Sequence, residues 1–274
     1  MKLAKVFKEN KQFTLFSILA LVVVGVAVFA PQIAPYDPLG AVMLESLQAP
    51  SSAHPFGTDK LGRDLLSRVI FGTRTSLIMT LCLVAVIFVI GTFLGVIAGY
   101  FGGIVDGVIM RIADMMISFP GLVLAIAIAG MLGPNLVNAV ISIAAVSWTK
   151  YARLARSMVL KVKKSLYIEA AVVNGTKTWK ILLVHVLPNM VTQMVVTAAA
   201  DIGTMMLELA SLSFLGFGAT APTPEWGLML NEGRTYMAKA PWLMIYPGIA
   251  IVICVVVFNM LGDSIRDVLD PRQD

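Results

Sequence analysis

Charge is scarce in this chain, and so are cysteine and histidine. Asp, Glu, Lys and Arg together make up 14% of the 274 residues, against 58% hydrophobic residues. A soluble domain carries about a quarter charged residues, so that class is excluded. The two cysteines, Cys82 and Cys254, both fall inside apolar runs, which leaves no disulfide or metal framework to consider. A phosphate-binding loop is also missing. Gly175-Thr176-Lys177-Thr178 has the right residue types but not the G-x-x-x-x-G-K-[ST] spacing or a preceding strand, so the chain is not expected to hydrolyse ATP or to hold any cofactor. The net charge of +5 needs no nucleic-acid partner, because inner loops of membrane proteins collect Lys and Arg.

Long uncharged runs dominate what is present. About 18 such residues cross a hydrocarbon layer of roughly 30 Å, and the chain has room for six spans: 13–31, 75–100, 107–131, 136–152, 190–214 and 242–261. The first run, Phe13–Ala30, is longer than a signal-peptide core and is followed directly by Pro31, so it reads as an uncleaved helix. Gly91, Gly95 and Gly99 lie four apart in the second span, a spacing that lets two helix backbones approach closely. The uncharged stretch from Met115 to Thr149 is too long for one crossing, and Gly133-Pro134-Asn135 divides it. A kink is expected at Pro247-Gly248 in the last span.

Orientation follows from the basic residues. With the N-terminus inside, the outer segments hold only Lys60, Arg63, Arg68, Arg74, Arg234 and Lys239 of the 21 Lys and Arg. The inner segments hold the rest: Lys2, Lys5, Lys8, Lys11, Arg111, Lys150, Arg153, Arg156, Lys161, Lys163, Lys164, Lys177, Lys180, Arg266 and Arg272. Both termini and the loop at about 153–189 are therefore expected in the cytoplasm.

That loop contains EAAVVNGTKTWKILLVHVLPN, residues 169–189. Tyr151 to Leu166 forms a basic amphipathic lead-in able to ride on the inner membrane surface. Glu169, Ala170 and Ala171 are good helix formers with little bulk, Gly175 permits a turn, and Thr176 to Val186 fits a second helix stopped by Pro188. The pattern Glu-Ala-Ala, Gly175, then His185-x-Leu187-Pro188-Asn189 resembles the EAA loop of the membrane subunits of bacterial ABC importers. His185 reads as a structural residue rather than a metal or proton site.

Three further stretches resemble the peptide and nickel branch of these permeases, in its second (C-type) membrane subunit. They are His54 to Leu77, then Leu212–Gly216 with Pro222–Gly227, and Gly262-Asp263 through Asp270-Pro271. The resemblance implies an all-α, six-helix type I ABC importer permease in the bacterial inner membrane. It divides into residues 1–72 (cytoplasmic tail, first helix, outer segment), 73–262 (the transporter domain) and 263–274 (cytoplasmic tail). It implies a homologous second permease subunit, two ATPase subunits carrying ATP and Mg, and an extracytoplasmic solute-binding protein. The coupling residues would be Glu169, Ala170, Ala171, Gly175, His185, Leu187, Pro188 and Asn189. The stretch from Asp201 to Arg234 is closest to nickel importers, with a dipeptide or oligopeptide importer as the alternative. A stand-alone ion-coupled transporter, with Asp201 and Glu208 as proton carriers, is the rival from another class.

Outside the loop, Thr58 or Asp59 can cap a short interfacial helix whose apolar face is Leu61, Leu65, Leu66, Val69 and Ile70, with Arg63, Asp64 and Arg68 on the other side. Asp59, Arg63, Asp64, Trp226 and Glu232 are the candidates for contact with a delivering protein. Within the fifth span, Asp201 and Glu208 stand seven apart on one face; a lone charge there costs about 2.5–3.5 kcal/mol. Either they line a pathway or they pair between helices, the latter especially for Glu208. Met194, Met205 and Met206 read as packing rather than metal ligands, and Arg111 with Asp114 as a local pair.

Overall fold

A computed structural model describes residues 10–269. Lys2, Lys5, Lys8, Asp270, Pro271 and Arg272 lie outside them. The first helix, α1 (Lys11–Val28), leads into a single turn, α2 (Ala30–Ile33). Pro31 sits in that turn's first positions, where its missing N–H costs no helical bond. An irregular segment then folds back before α3 (Leu65–Phe101). At about 55 Å by helical rise, α3 is longer than the hydrocarbon layer.

The short interfacial helix expected from Asp59 onward is absent. Gly62 has φ +73° and a Cβ there would lie 1.8 Å from the Val42 carbonyl oxygen, so the chain turns where a helix would have to continue. The cap belongs to Asp64 instead: its carboxylate accepts from the Ser67 amide and hydroxyl, both at 2.7 Å. From there Leu65, Val69 and Ile70 are simply the first turns of the long helix.

The third span also differs from a single helix. It is broken into α4 (Gly103–Ile117) and α5 (Gly121–Leu132), bent by 93°. Pro120 stands at the break; it lacks an N–H and pushes the residue before it out of the helical region. Asp114 pairs with Arg153, not with Arg111, and Asp106 accepts from Arg156 at 2.5 Å. These pairs tie α4 to the next helix.

That helix, α6 (Leu136–Lys163), is capped by Asn135, which accepts from the Val137 amide at 2.8 Å. It runs unbroken through the basic lead-in. Rather than turning onto the membrane surface, it stays against α3: a Cβ on Gly91 would lie 2.5 Å from the Trp148 carbonyl, one on Gly95 2.3 Å from that of Ala152, and one on Gly99 2.8 Å from Val159. The contacts advance together along both helices, so α3 and α6 are parallel. The bent pair α4–α5 must therefore carry the chain back across.

After a short loop helix, α7 (Leu166–Val173), and one turn, α8 (Thr178–Lys180), come α9 (Leu187–Phe214), α10 (Trp226–Arg234) and α11 (Trp242–Leu269). Pro247 lies inside α11 without ending it. Helix α11 runs antiparallel to α9, with Gly203 against Asn259 and Gly262 against Ala200. Among the described residues α1, α3, the stretch Thr178–Phe214 and α11 are long and apolar enough to cross a membrane, and the bent pair α4–α5 makes a fifth span; the sixth expected span, α6, is the more polar helix packed along α3. The described ends and the α6–α9 loop lie at one end of the bundle. The proposed divisions at 72/73 and 262/263 fall inside α3 and α11.

Candidate functional site

The loop is built by local chemistry. Helix α7 ends in Asn174 and Gly175; Gly175 takes φ +72°. Its amide donates to the Val172 carbonyl at 2.9 Å and the Thr176 amide reaches back to Ala171 at 3.0 Å. This is the paired closure of a helix end that calls for glycine. Ile168, Ile181 and Val186 are buried and pin the loop to the bundle.

The second loop helix is not stopped by Pro188. Ile181–Val186 is a π-helical turn continuous with α9, and the Leu187 amide donates to Leu182, five residues back. The wider register absorbs the N–H that proline lacks. Asn189 donates to the His185 carbonyl at 2.6 Å and to the Tyr167 hydroxyl at 3.2 Å, and the rings of Tyr167 and His185 meet edge to face. His185 and Asn189 thus clasp α7 to the foot of α9; Leu187 is half-buried and Pro188 exposed.

What the loop leaves outside is mostly apolar. Val173 is 86% exposed, Leu166 83% and Trp179 60%, with Val172, Leu183 and Val184 also open. Glu169, Ala170 and Gly175 lie exposed among them, and Ala171 is half-buried. A patch of this kind marks a contact surface.

At the middle of α9 the two acidic residues separate. Asp201 is buried, with Lys150 Nζ at 2.6 Å and the Tyr151 hydroxyl donating at 2.8 Å. This is the interhelical pair, and it falls on Asp201. Glu208 is half-buried and forms no hydrogen bond or salt bridge among the described residues, the reverse of the emphasis expected from sequence. Lys150 and Tyr151 were not expected as partners, since nothing in their local sequence points to α9. Met194, Met205 and Met206 are buried in the packing.

The opposite end of the bundle carries a charge network. Arg63 donates to Asp59 at 2.6 Å and to Glu232 at 3.3 Å. Arg68 reaches Glu232 at 3.4 Å and the carbonyls of Pro38 and Pro222 at 3.1 and 3.2 Å. His54 meets Asp64 at 2.8 Å. Glu225 caps α10, accepting from the amides of Gly227 and Leu228 at 2.9 and 2.8 Å. Burial holds its pKa above the usual carboxylate value, an effect those amides offset only in part. Asp59, Arg63, Asp64 and Trp226 are buried, so these four side chains hold the segment together and present no surface to a docking protein. Glu232 is also largely covered, by Lys60, Arg63 and Arg68. Removing one member strands the others: Arg68→Met is expected to cost about 3–5 kcal/mol, visible as a lower midpoint of thermal unfolding in detergent. An unchanged midpoint would show that the network carries no stability.

The class of the protein is that of an all-helical membrane bundle with an exposed, largely apolar loop at one end. The chain belongs to the family of binding-protein-dependent transport system inner membrane components, whose profile matches residues 91–274; it is an ABC importer permease subunit. It is 42% identical to the dipeptide transport system permease protein DppC of Alkalihalophilus pseudofirmus, over 98% of this chain and 88% of that one. With the glutathione transport system permease protein GsiD of Pectobacterium atrosepticum it shares 45%, over 92% and 84%. A probable D,D-dipeptide permease, DdpC of Escherichia coli, is 41% identical over 99% and 91%. The MetNI methionine ABC transporter, in an inward-facing structure, shares the fold, with TM-score 0.60 and 20% identity over 74% of this chain and 97% of that one. None of these relatives names nickel, so the preference for nickel drawn from Asp201 to Arg234 is not supported.

Proposed function

We propose that this chain is one of two homologous membrane subunits of a peptide importer in the bacterial plasma membrane. The loop end of the bundle faces the cytoplasm, in keeping with its basic residues, and the Arg63–Arg68 network faces outward. The observation that carries the coupling role is the exposed apolar patch around Glu169 and Gly175 on a loop pinned from beneath. ATPase subunits dock there, ATP and Mg remain with them, and an extracytoplasmic binding protein delivers cargo to the other end. The relatives' printed substrates, dipeptides and glutathione, support peptide as the cargo.

Docking at the loop has a direct route inward. Movement of α7 reaches α9 through Tyr167 and Asn189, and the π turn beneath them is a place where the helix can change register. Alternate opening of the two membrane faces then follows ATP binding and hydrolysis in the partners.

The test is uptake by the reconstituted complex, with and without ATP and binding protein, using labelled dipeptides and nickel in parallel. Dipeptide uptake that requires both is expected, with none from this chain alone. Uptake by the chain alone, driven by a proton gradient, would establish the ion-coupled rival.

A further inference from the structure

Six polar residues of α9 recur at intervals of four, four, three, four and three: Gln193, Thr197, Asp201, Thr204, Glu208 and Ser211. At 3.6 residues per turn they fall within an arc of about 80°. Other parts of α9 pack against the bundle, with Met194, Met205, Leu209 and Leu212 in one core cluster and Met206 and Ala210 in the other, while Val191, Val195 and Leu207 are exposed apolar residues. The polar arc stays open. Gln193 and Thr204 are exposed, and Thr197, Glu208 and Ser211 are half-buried. Asp201 alone is closed off, at the edge of the arc where Lys150 and Tyr151 reach it. Beyond it the inner part of the arc lines a cleft of about 350 Å³, together with Lys150, Asp263 and Arg266.

A polar track of this length on a membrane helix faces water or protein, since hydrocarbon offers it no partners. We propose that it lines the substrate pathway and that Glu208 receives the ammonium group of a peptide in transit; the cargo in this statement rests on the peptide-importer reading above. Three observations favour Glu208 over Asp201. Its carboxylate makes no hydrogen bond or salt bridge among the described residues and feels the Lys150 charge only at longer range, whereas that of Asp201 is neutralised by Lys150 and bonded by Tyr151. It stands six residues from the Phe214 end of α9, about 9 Å, so a peptide entering from that end meets it before reaching Asp201. And hydroxyls flank it one turn away on either side: that of Thr204, and that of Ser211, which donates to the Leu207 carbonyl at 2.7 Å and keeps its lone pairs to accept from the peptide backbone, while Glu208 makes charge-assisted hydrogen bonds to the ammonium.

The experiment uses the full complex with Cys82 and Cys254 replaced by Ser. Thr204→Cys and Glu208→Cys are expected to react with a charged, water-soluble thiol reagent, with a saturating dipeptide slowing the reaction at least about fivefold; Leu209→Cys, in the core, serves as the unreactive control. In the native-cysteine complex, Glu208→Gln is expected to raise the KM for dipeptide uptake about tenfold or more, the loss of a hydrogen bond to a charge, with thermal unfolding and complex assembly confirming an intact protein. If the wild-type complex imports dipeptides but Glu208→Cys is unreactive in every nucleotide state, or Glu208→Gln takes up dipeptide like the wild type, the inference is wrong and the peptide reading stands. If the wild-type complex imports no dipeptide, the cargo reading falls and the ammonium role falls with it.

Discussion

Replacing Glu169 by Lys is expected to stop uptake while leaving the chain inserted and folded. Glu169 is exposed on α7 and contributes nothing to the anchoring, which rests on Ile168 beside it and on Ile181 and Val186 across the loop. Substitutions at such a position change stability by about 0.5 kcal/mol or less. Its surroundings outside the chain are another matter. Val172 and Val173 follow it three and four residues on along α7, and with Trp179 they are apolar side chains with no cover inside the subunit. Reversing the charge at a docked, desolvated position costs about 2 kcal/mol or more, at least about thirtyfold in affinity for the ATPase. The measurements are uptake by membrane vesicles, co-purification of the ATPase, and the thermal unfolding midpoint. Gly175→Val is the companion variant. Open space surrounds a Cβ there, but φ +72° imposes a strain of about 1–2 kcal/mol on a residue with a side chain, so the loop changes shape while the spans keep theirs. Normal uptake by both variants would reduce the loop to a connector.

The turn that ends α7 was legible in the sequence because its determinant is local. Gly175 is required by its own backbone angle. A close helix contact on α3 was legible for a similar reason, since Gly91, Gly95 and Gly99 repeat on one face, but that its partner is α6 was not. The failures share a different cause. Asp201 and Glu208 look alike in sequence, and what separates them is Lys150 and Tyr151, about fifty residues earlier in the chain. The outer segment was misread as an amphipathic helix because its apolar spacing is helical from Leu61 to Ile70, while Gly62 forces a turn against the Val42 carbonyl, a contact between distant parts of the chain. Pro120 carried the signal for the break between α4 and α5, masked by the uncharged residues on both sides of it. The shift of Pro188 from helix stop to π turn depends on hydrogen-bond register, which residue type alone does not show.

Gly95→Leu is expected to prevent accumulation of folded protein. The first added atom, the Cβ, would sit 2.3 Å from the Ala152 carbonyl oxygen, 2.7 Å from the Ala155 Cβ and 2.9 Å from the Ala152 Cα. No rotamer relieves this, because the clash lies at the backbone and at the base of a side chain. The two helices must move apart, and overpacking that forces backbone movement costs about 3 kcal/mol or more. The damage also spreads beyond α3. Helix α6 carries Lys150 and Tyr151, so displacing it takes both partners from Asp201 and leaves a bare carboxylate in the middle of α9. It also loosens the pairs of Arg153 and Arg156 with Asp114 and Asp106 that hold α4. A side chain inserted between α3 and α6 therefore disturbs the broken third crossing and α9 together. Gly107→Leu is the control: it adds the same bulk to a helical glycine with nothing within 4 Å of its Cβ and is expected to accumulate as the wild type does. Gel filtration of detergent extracts, followed by a fluorescent tag, compares the two. Equal amounts of monodisperse protein would mean that the close approach of α3 and α6 is not what holds the bundle together.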